Sequence, residues 1–209
     1  IAQVIQIQSY EDAPYLVLAT VQGRVKKSRL SDYESARSGG LIAINLNEGD
    51  KLIGALLCSN EDDLLLVSEE GQSIRFSADD EQLRPMGRST AGVKGMRFRG
   101  DDHLLAMTVV RDGSYLLVAT AGGYGKRTSM DEYSVQGRGG VGVVTFKYNP
   151  KRGKLIGALA VDNNNQIFAI TSAGGVIRTE VNQIRPSSRA TMGVRLVNLE
   201  DGIELLAID

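Results

Sequence analysis

The run Gln136-Gly137-Arg138-Gly139-Gly140-Val141-Gly142 places three glycines within four positions around one arginine. Glycine lets backbone N–H groups come close to a ligand, and a guanidinium is a fork of donors matched to phosphate oxygens, so the chemistry on offer is contact with an anion. The run is not a P-loop, because no Gly-Lys-Ser/Thr closes it. By itself a glycine-rich turn beside an arginine is more often a plain loop than a phosphate site.

Groups for bond-making chemistry are scarce. The single histidine, His103, follows Asp101-Asp102, where a solvent-facing turn residue is expected rather than a general base. The single cysteine, Cys58, excludes an internal disulfide, points to a reducing compartment, and ends an apolar stretch that reads as core. One His and one Cys also exclude the usual zinc clusters. Asp62 and Asp63 sit in a turn, and none of the seven tyrosines is singled out by spacing. The sequence therefore assigns no catalytic residue and no metal ligand.

Basic residues recur in phase. Four copies of one pattern run through the chain: an apolar run ending in a hydroxyl, a Gly-bearing turn, then a basic residue. They are 16–20 with Gly23 and Lys27, 64–68 with Gly71 and Arg75, 116–120 with Gly123 and Arg127, and 167–171 with Gly174 and Arg178. A second basic landmark follows in each unit at Arg37, Arg88, Arg138 and Arg189, and then a third, apolar stretch.

These residues must be positioned by short strands. Both flanks of each turn are rich in Val, Leu and Ile, and no apolar stripe holds helical spacing for more than two turns. Glycine, at 24 of 209 residues, exceeds the roughly 7% usual for proteins, as turns with positive φ require. About 50 residues and four strands per unit, each too small to bury its own faces, is the requirement of a propeller-like disk. The expected fold is thus all-β, one repeat domain over 1–209. Its units are near 1–51, 52–103, 104–154 and 155–204, with 205–209 beginning a further strand. The start at Ile1, inside an apolar run, reads as a piece of a longer chain with more units upstream. No run of 18 apolar residues is present, so no membrane helix is expected.

The formal net charge of −1 at first argues against nucleic acid. Nineteen of the 24 basic residues, however, fall in the windows 24–41, 72–99, 124–147 and 175–195, which are net +11 and leave −12 for the remainder. In a radial repeat, phased charge becomes clustered charge, so a basic band along one side is expected. Its candidate DNA-contacting members are Lys26, Lys27, Arg29, Arg37, Arg75, Arg88, Lys94, Lys126, Arg127, Arg138, Arg178 and Arg189. Cations without interleaved aromatics favour phosphate contact over base reading.

The whole chain resembles the C-terminal domain of the DNA gyrase A protein, related to that of the topoisomerase IV A protein. The resemblance lies in the period, the turns with trailing basic residues, and the phrases Ser73-Ile74-Arg75-Phe76 and Gly175-Val176-Ile177-Arg178-Thr179. Residues 136–142 resemble the family's box motif, Q-R-R-G-G-K-G, departing from it at Gly137 and Val141 as a degenerate, secondary copy would. The resemblance implies a β-pinwheel whose blades exchange strands and whose basic rim bends double-stranded DNA largely without regard to sequence. It further implies a non-catalytic wrapping role in negative supercoiling, by a bacterial, cytoplasmic, nucleoid-associated enzyme. The gyrase B protein and the rest of the A protein would be partners, and ATP and Mg²⁺ would bind outside this chain, which needs no cofactor. The alternatives are a topoisomerase IV domain and a protein-interaction propeller; the absence of Trp and of a repeated Gly-His speaks against the second.

Overall fold

The run 64–67 is apolar at every position because both faces of its strand are buried, Leu64 and Leu66 against one neighbouring sheet and Leu65 and Val67 against the other. That arrangement repeats along the chain. The structure is a computed structural model that describes residues 3–34 and 39–209. Its strands are β1 (Tyr15–Thr20), β2 (Arg24–Arg29), β3 (Leu52–Cys58), β4 (Asp63–Ser68), β5 (Gln72–Ser77), β6 (Val93–Lys94), β7 (Leu104–Val109) and β8 (Tyr115–Thr120). They continue with β9 (Tyr124–Ser129), β10 (Val143–Val144), β11 (Leu155–Val161), β12 (Gln166–Thr171), β13 (Val176–Glu180), β14 (Val194–Arg195) and β15 (Leu205–Ile208).

The strands form four antiparallel sheets in the orders β3-β1-β2-β6, β7-β4-β5-β10, β11-β8-β9-β14 and β15-β12-β13. The repeat therefore holds, with two differences from the sequence reading. The fourth sheet has three strands among the described residues, because the short fourth strand of every other sheet is lent by the following unit. Residues 205–208 close the fourth sheet by pairing with β12 rather than opening a new one, and 3–8, in the same phase, form no named strand.

The landmark hydroxyl has a local job. Thr20, Ser68, Thr120 and Thr171 each accept, through Oγ, the backbone N–H four residues on, at 3.0–3.2 Å, which pins the hairpin turn. The turn glycines Gly23, Gly71, Gly123 and Gly174 all have positive φ, from 77° to 86°.

The core is divided among the three junctions between successive sheets. Val17, Ala19 and Val25 meet Leu64, Leu66, Ile74 and Phe76; Leu65 and Val67 meet Leu116, Val118 and Phe146; Leu117 and Ala119 meet Ile167 and Ala169. Cys58 belongs to the first of these clusters, where burial pushes its thiol up to about 11, as fits a packing residue. On the fourth sheet alternation surfaces: Ile167 and Ala169 are buried, while Phe168 is 45% exposed and Ile170 37%.

Candidate nucleic-acid interface

Strand order decides which edge faces outward. β3 packs on β7, β7 on β11 and β11 on β15, so these strands form the hub. The opposite edges, carrying the lent strands β6, β10 and β14, form the rim. The loops just before the lent strands contain Arg84, Arg88, Arg138, Arg185 and Arg189, so three members of the second basic landmark, Arg88, Arg138 and Arg189, lie at the rim.

In the first three sheets the first basic landmark is buried or half-buried. Lys27 and Lys126 are fully buried, as is Lys26, and Arg127 is 4% exposed. Lys27, Arg75 and Arg127 each staple their sheet to the next. Lys27 Nζ donates to Asn60 Oδ1 and Ala78 O, each at 2.6 Å, pairs with Asp80 at 3.0 Å, and lies 4.3 Å over the Tyr15 ring. Arg75 forms an ion pair with Asp63 at 2.7 Å and donates to Tyr133 O at 3.1 Å. Arg127 donates to Ile184 O and Asn163 Oδ1 and stacks on Tyr115 at 4.5 Å. The assignment of Lys26, Lys27, Lys126 and Arg127 to the DNA surface is thus corrected, since a polyanion has no access to them; Arg75, half-buried, is spent on Asp63 and Tyr133 O. A buried cation that satisfies carbonyls of a neighbouring blade is a structural group. Arg178, at the same place in the fourth sheet, is exposed.

Lys26 and Lys126 perform a related task on the loops. Lys126 Nζ donates to Ser188 O at 2.7 Å, to Arg189 O, and to Thr191 Oγ1 at 3.0 Å; Lys26 Nζ donates to Ala43 O at 2.7 Å and to Arg88 O. Burial pulls the Lys126 ammonium down from 10.5 to about 8, Glu132 opposing the shift and Arg189 adding to it. Because the unfolded chain keeps this proton up to about pH 10.5, the cost of the buried charge is full below about pH 8 and fades as pH rises from there to 10.5. Thermal melts at pH 7.5 and 9.5 are therefore expected to move in favour of the wild-type chain relative to Lys126→Met as the pH increases. An unchanged or opposite difference would show that Lys126 is not held below its usual range.

The box-like run is also a packing element. Gln136 N–H donates to Arg75 O at 2.8 Å and Gly139 N–H to Gly95 O at 2.9 Å, while Arg97 donates to Gly139 O and Gly140 O. Arg138 is half-buried and largely spent on the neighbouring unit: its N–H goes to Gln82 Oε1, its Nε to Gln82 O and its Nη1 to Lys94 O. Gly137 meets nothing within 4 Å of a built Cβ, Val141 is half-buried, and Gly142 crosses directly over Ser73 O.

Of the other candidates, Arg29 and Lys94 are exposed and Arg88 is half-buried. Arg29 and Arg84 line a cleft of about 520 Å³ together with Asp32 and Asp80, which offset their charge. Arg189 is half-buried, its Nη1 donating to Val144 O at 2.7 Å and its N–H to Glu132 Oε2 at 2.7 Å. Arg37 lies outside the described residues. Fourteen of the 19 window cations remain at least partly exposed among the described residues.

Sequence reasoning missed four rim residues, Arg24, Tyr124, Arg152 and Arg195. A second, longer period marks only the positions of Arg24 and Tyr124, which stand 100 apart, as do Tyr15 and Tyr115, Lys26 and Lys126, Tyr33 and Tyr133, and Gly39-Gly40 and Gly139-Gly140; Arg152 and Arg195 have no such signal. Odd units thus resemble each other more than they resemble their neighbours.

Comparison with known proteins agrees with this architecture. The family model described as the DNA gyrase C-terminal domain, beta-propeller, matches residues 14–59, 62–111, 114–162 and 165–207, one segment per sheet. The DNA gyrase A protein of Mycolicibacterium smegmatis (strain ATCC 700084 / mc(2)155) is 68% identical over 208 residues, covering 100% of this chain and 25% of that protein. Its counterpart from Streptomyces coelicolor is 60% identical over 204 residues, covering 95% and 24%. Among solved structures, a DNA gyrase A C-terminal domain superposes with a TM-score of 0.85 at 26% identity, covering 97% of this chain and 67% of that one. A DNA topoisomerase IV C-terminal domain gives 0.90 at 25%, covering 99% and 64%. The chain spans about a quarter of the length of the curated relatives it matches. The family model matches a segment in each of the four sheets, and the chain belongs to the DNA gyrase C-terminal domain family of β-propellers.

Proposed function

We propose that this chain is the DNA-binding and DNA-bending part of a DNA gyrase A protein, and that it contacts a duplex along the rim. The observation that carries the reading is the row of exposed cations on the lent strands and the loops flanking them, Arg84, Lys94, Arg97, Arg185 and Arg195, on the edge opposite the hub. Surface cations without an aromatic stacking platform bind phosphates rather than bases, so preference among sequences comes from how easily the duplex bends. In the parent enzyme, bending would present a segment for strand passage in the sense that introduces negative supercoils. ATP and Mg²⁺ would act at sites on other parts of that enzyme, with the gyrase B protein and the rest of the A protein as partners, in a cytoplasmic, nucleoid-associated setting.

A filter-binding titration of linear duplex is expected to give a log K against log salt slope on the order of −5 to −8, from neutralising about 6 to 9 phosphates. A slope near zero would overturn the reading. A gel-based assay in which the chain constrains supercoils in relaxed plasmid separates bending from binding alone.

A further inference from the structure

The rim edges of the sheets are not equivalent. Where a lent strand joins its host, two residues of the host pair with two of the guest, and one of the two pairs differs in charge from sheet to sheet. In the first sheet the pair is Arg24 opposite Lys94, in the second Gln72 opposite Val144, and in the third Tyr124 opposite Arg195. Two like charges placed directly across a ladder cost stability, and the first sheet tolerates them at its outermost edge.

The third sheet reaches the same charge by another route. Arg152, at the end of the short 3-10 helix Pro150–Arg152, stacks on the Tyr124 ring at 4.1 Å, and Arg195 lies over that ring at 5.2 Å while donating to Tyr124 Oη at 2.7 Å. Arg152 also donates to Met192 O at 2.8 Å, the carbonyl just before the lent strand's glycine. Arg24 does the equivalent in the first sheet, donating to Ala91 O at 2.9 Å and Gly92 O at 2.6 Å. Two unrelated sequence positions thus place a guanidinium at the same point of the rim, with a second, exposed cation beside it. Among the described residues none of Arg24, Lys94, Arg152 and Arg195 forms an ion pair. Arg152 and Arg185 further line a cleft of about 530 Å³ with Ser187, Ser188 and Thr191 and no carboxylate, unlike the Arg29–Arg84 cleft.

We propose that the odd sheets are grips for a duplex backbone: Arg24 with Lys94, and Arg152 with Arg195 across Tyr124, each hold phosphates, and the duplex passes the second sheet at the Gln72–Val144 register without a charged contact. The inference rests on the DNA-binding reading above and adds to it where along the rim the backbone is held. Uncompensated paired cations on an edge are satisfied by an anion with closely spaced charges, and a phosphodiester backbone supplies them.

The test is the salt slope of duplex binding by the 209-residue chain and its variants, with a thermal melt of each variant alongside. Lys94→Gln and Arg195→Gln remove the charge while keeping a polar side chain, and are each expected to make the slope shallower by about 0.9, one phosphate contact, and together by about twice that. Val144→Lys, which gives the second sheet the cation it lacks, is expected to steepen the slope by about 0.9. A steep wild-type slope that Lys94→Gln and Arg195→Gln both leave unchanged overturns the grips while leaving DNA binding in place. A Val144→Lys chain with the wild-type slope overturns the path across the second sheet. A wild-type slope near zero overturns the DNA reading itself, and the grips with it.

Discussion

Replacing Arg127 by alanine is expected to destabilise the chain by about 3 kcal/mol, the sum of one buried acceptor left without a donor, one lost hydrogen bond from a charged donor and one lost cation–π contact. The acceptors are Ile184 O and Asn163 Oδ1 of the fourth sheet, and the ring is Tyr115. At 4% exposure Arg127 is shut off from solvent, and the buried Ile184 carbonyl depends on it, whereas Asn163 is exposed. For a chain of this size the loss corresponds to a melting temperature lower by about 6–12 °C. Arg178 occupies the same position in the fourth sheet but is exposed, so Arg178→Ala is expected to change stability by no more than about 0.5 kcal/mol. Thermal or denaturant melts of the two variants give the comparison. Equal effects would show that the repeated basic residue is not a staple between sheets.

Gly142→Ala is expected to cost about 2–5 kcal/mol, from forcing an L side chain into the left-handed region and from overpacking a tight crossing. Gly142 has φ of 71°, and a Cβ there would sit 1.9 Å from Ser73 O. Gly92 and Gly193 stand at the same crossing, where an added Cβ would clash with Val25 O and with Gly125 O. At each, one unit's chain passes over the hairpin of the preceding sheet before adding its short strand. Gly137→Ala, five residues away in the same glycine-rich run, meets nothing within 4 Å and should be nearly silent. Melts of the two variants decide whether these glycines serve the strand exchange; a destabilising Gly137→Ala with a silent Gly142→Ala would reverse the assignment.

These two positions also mark where reading the sequence worked and where it failed. The turn glycines and the hydroxyl of each unit were legible, because a tight turn and its side-chain cap depend on residues within four positions of each other. The apolar runs were legible as strands for the same reason. Arg127 and Lys126 were not, since a basic residue in a strand looks the same whether its partner is solvent, a phosphate or a carbonyl some 60 residues away. The box-like run invited a phosphate because glycine and arginine suit one. Its arginine is largely spent on Gln82 and Lys94 O, and its last glycine on the crossing.

By itself the sequence determined that the chain is a β repeat of four units near 50 residues, that its cations are phased within the unit, and which family it resembles, because period and local turn chemistry are properties of the chain in order. Only the tertiary structure decided which cations face outward. A cation's exposure is fixed by what the next sheet places against it: Lys27, Arg75 and Arg127 meet a following sheet and are drawn into the fold, whereas Arg178 is exposed. The charged rim edges were decided the same way, by a strand exchange that sets Arg24 opposite Lys94 and brings Arg152 and Arg195 to one tyrosine, contacts that no spacing along the chain encodes.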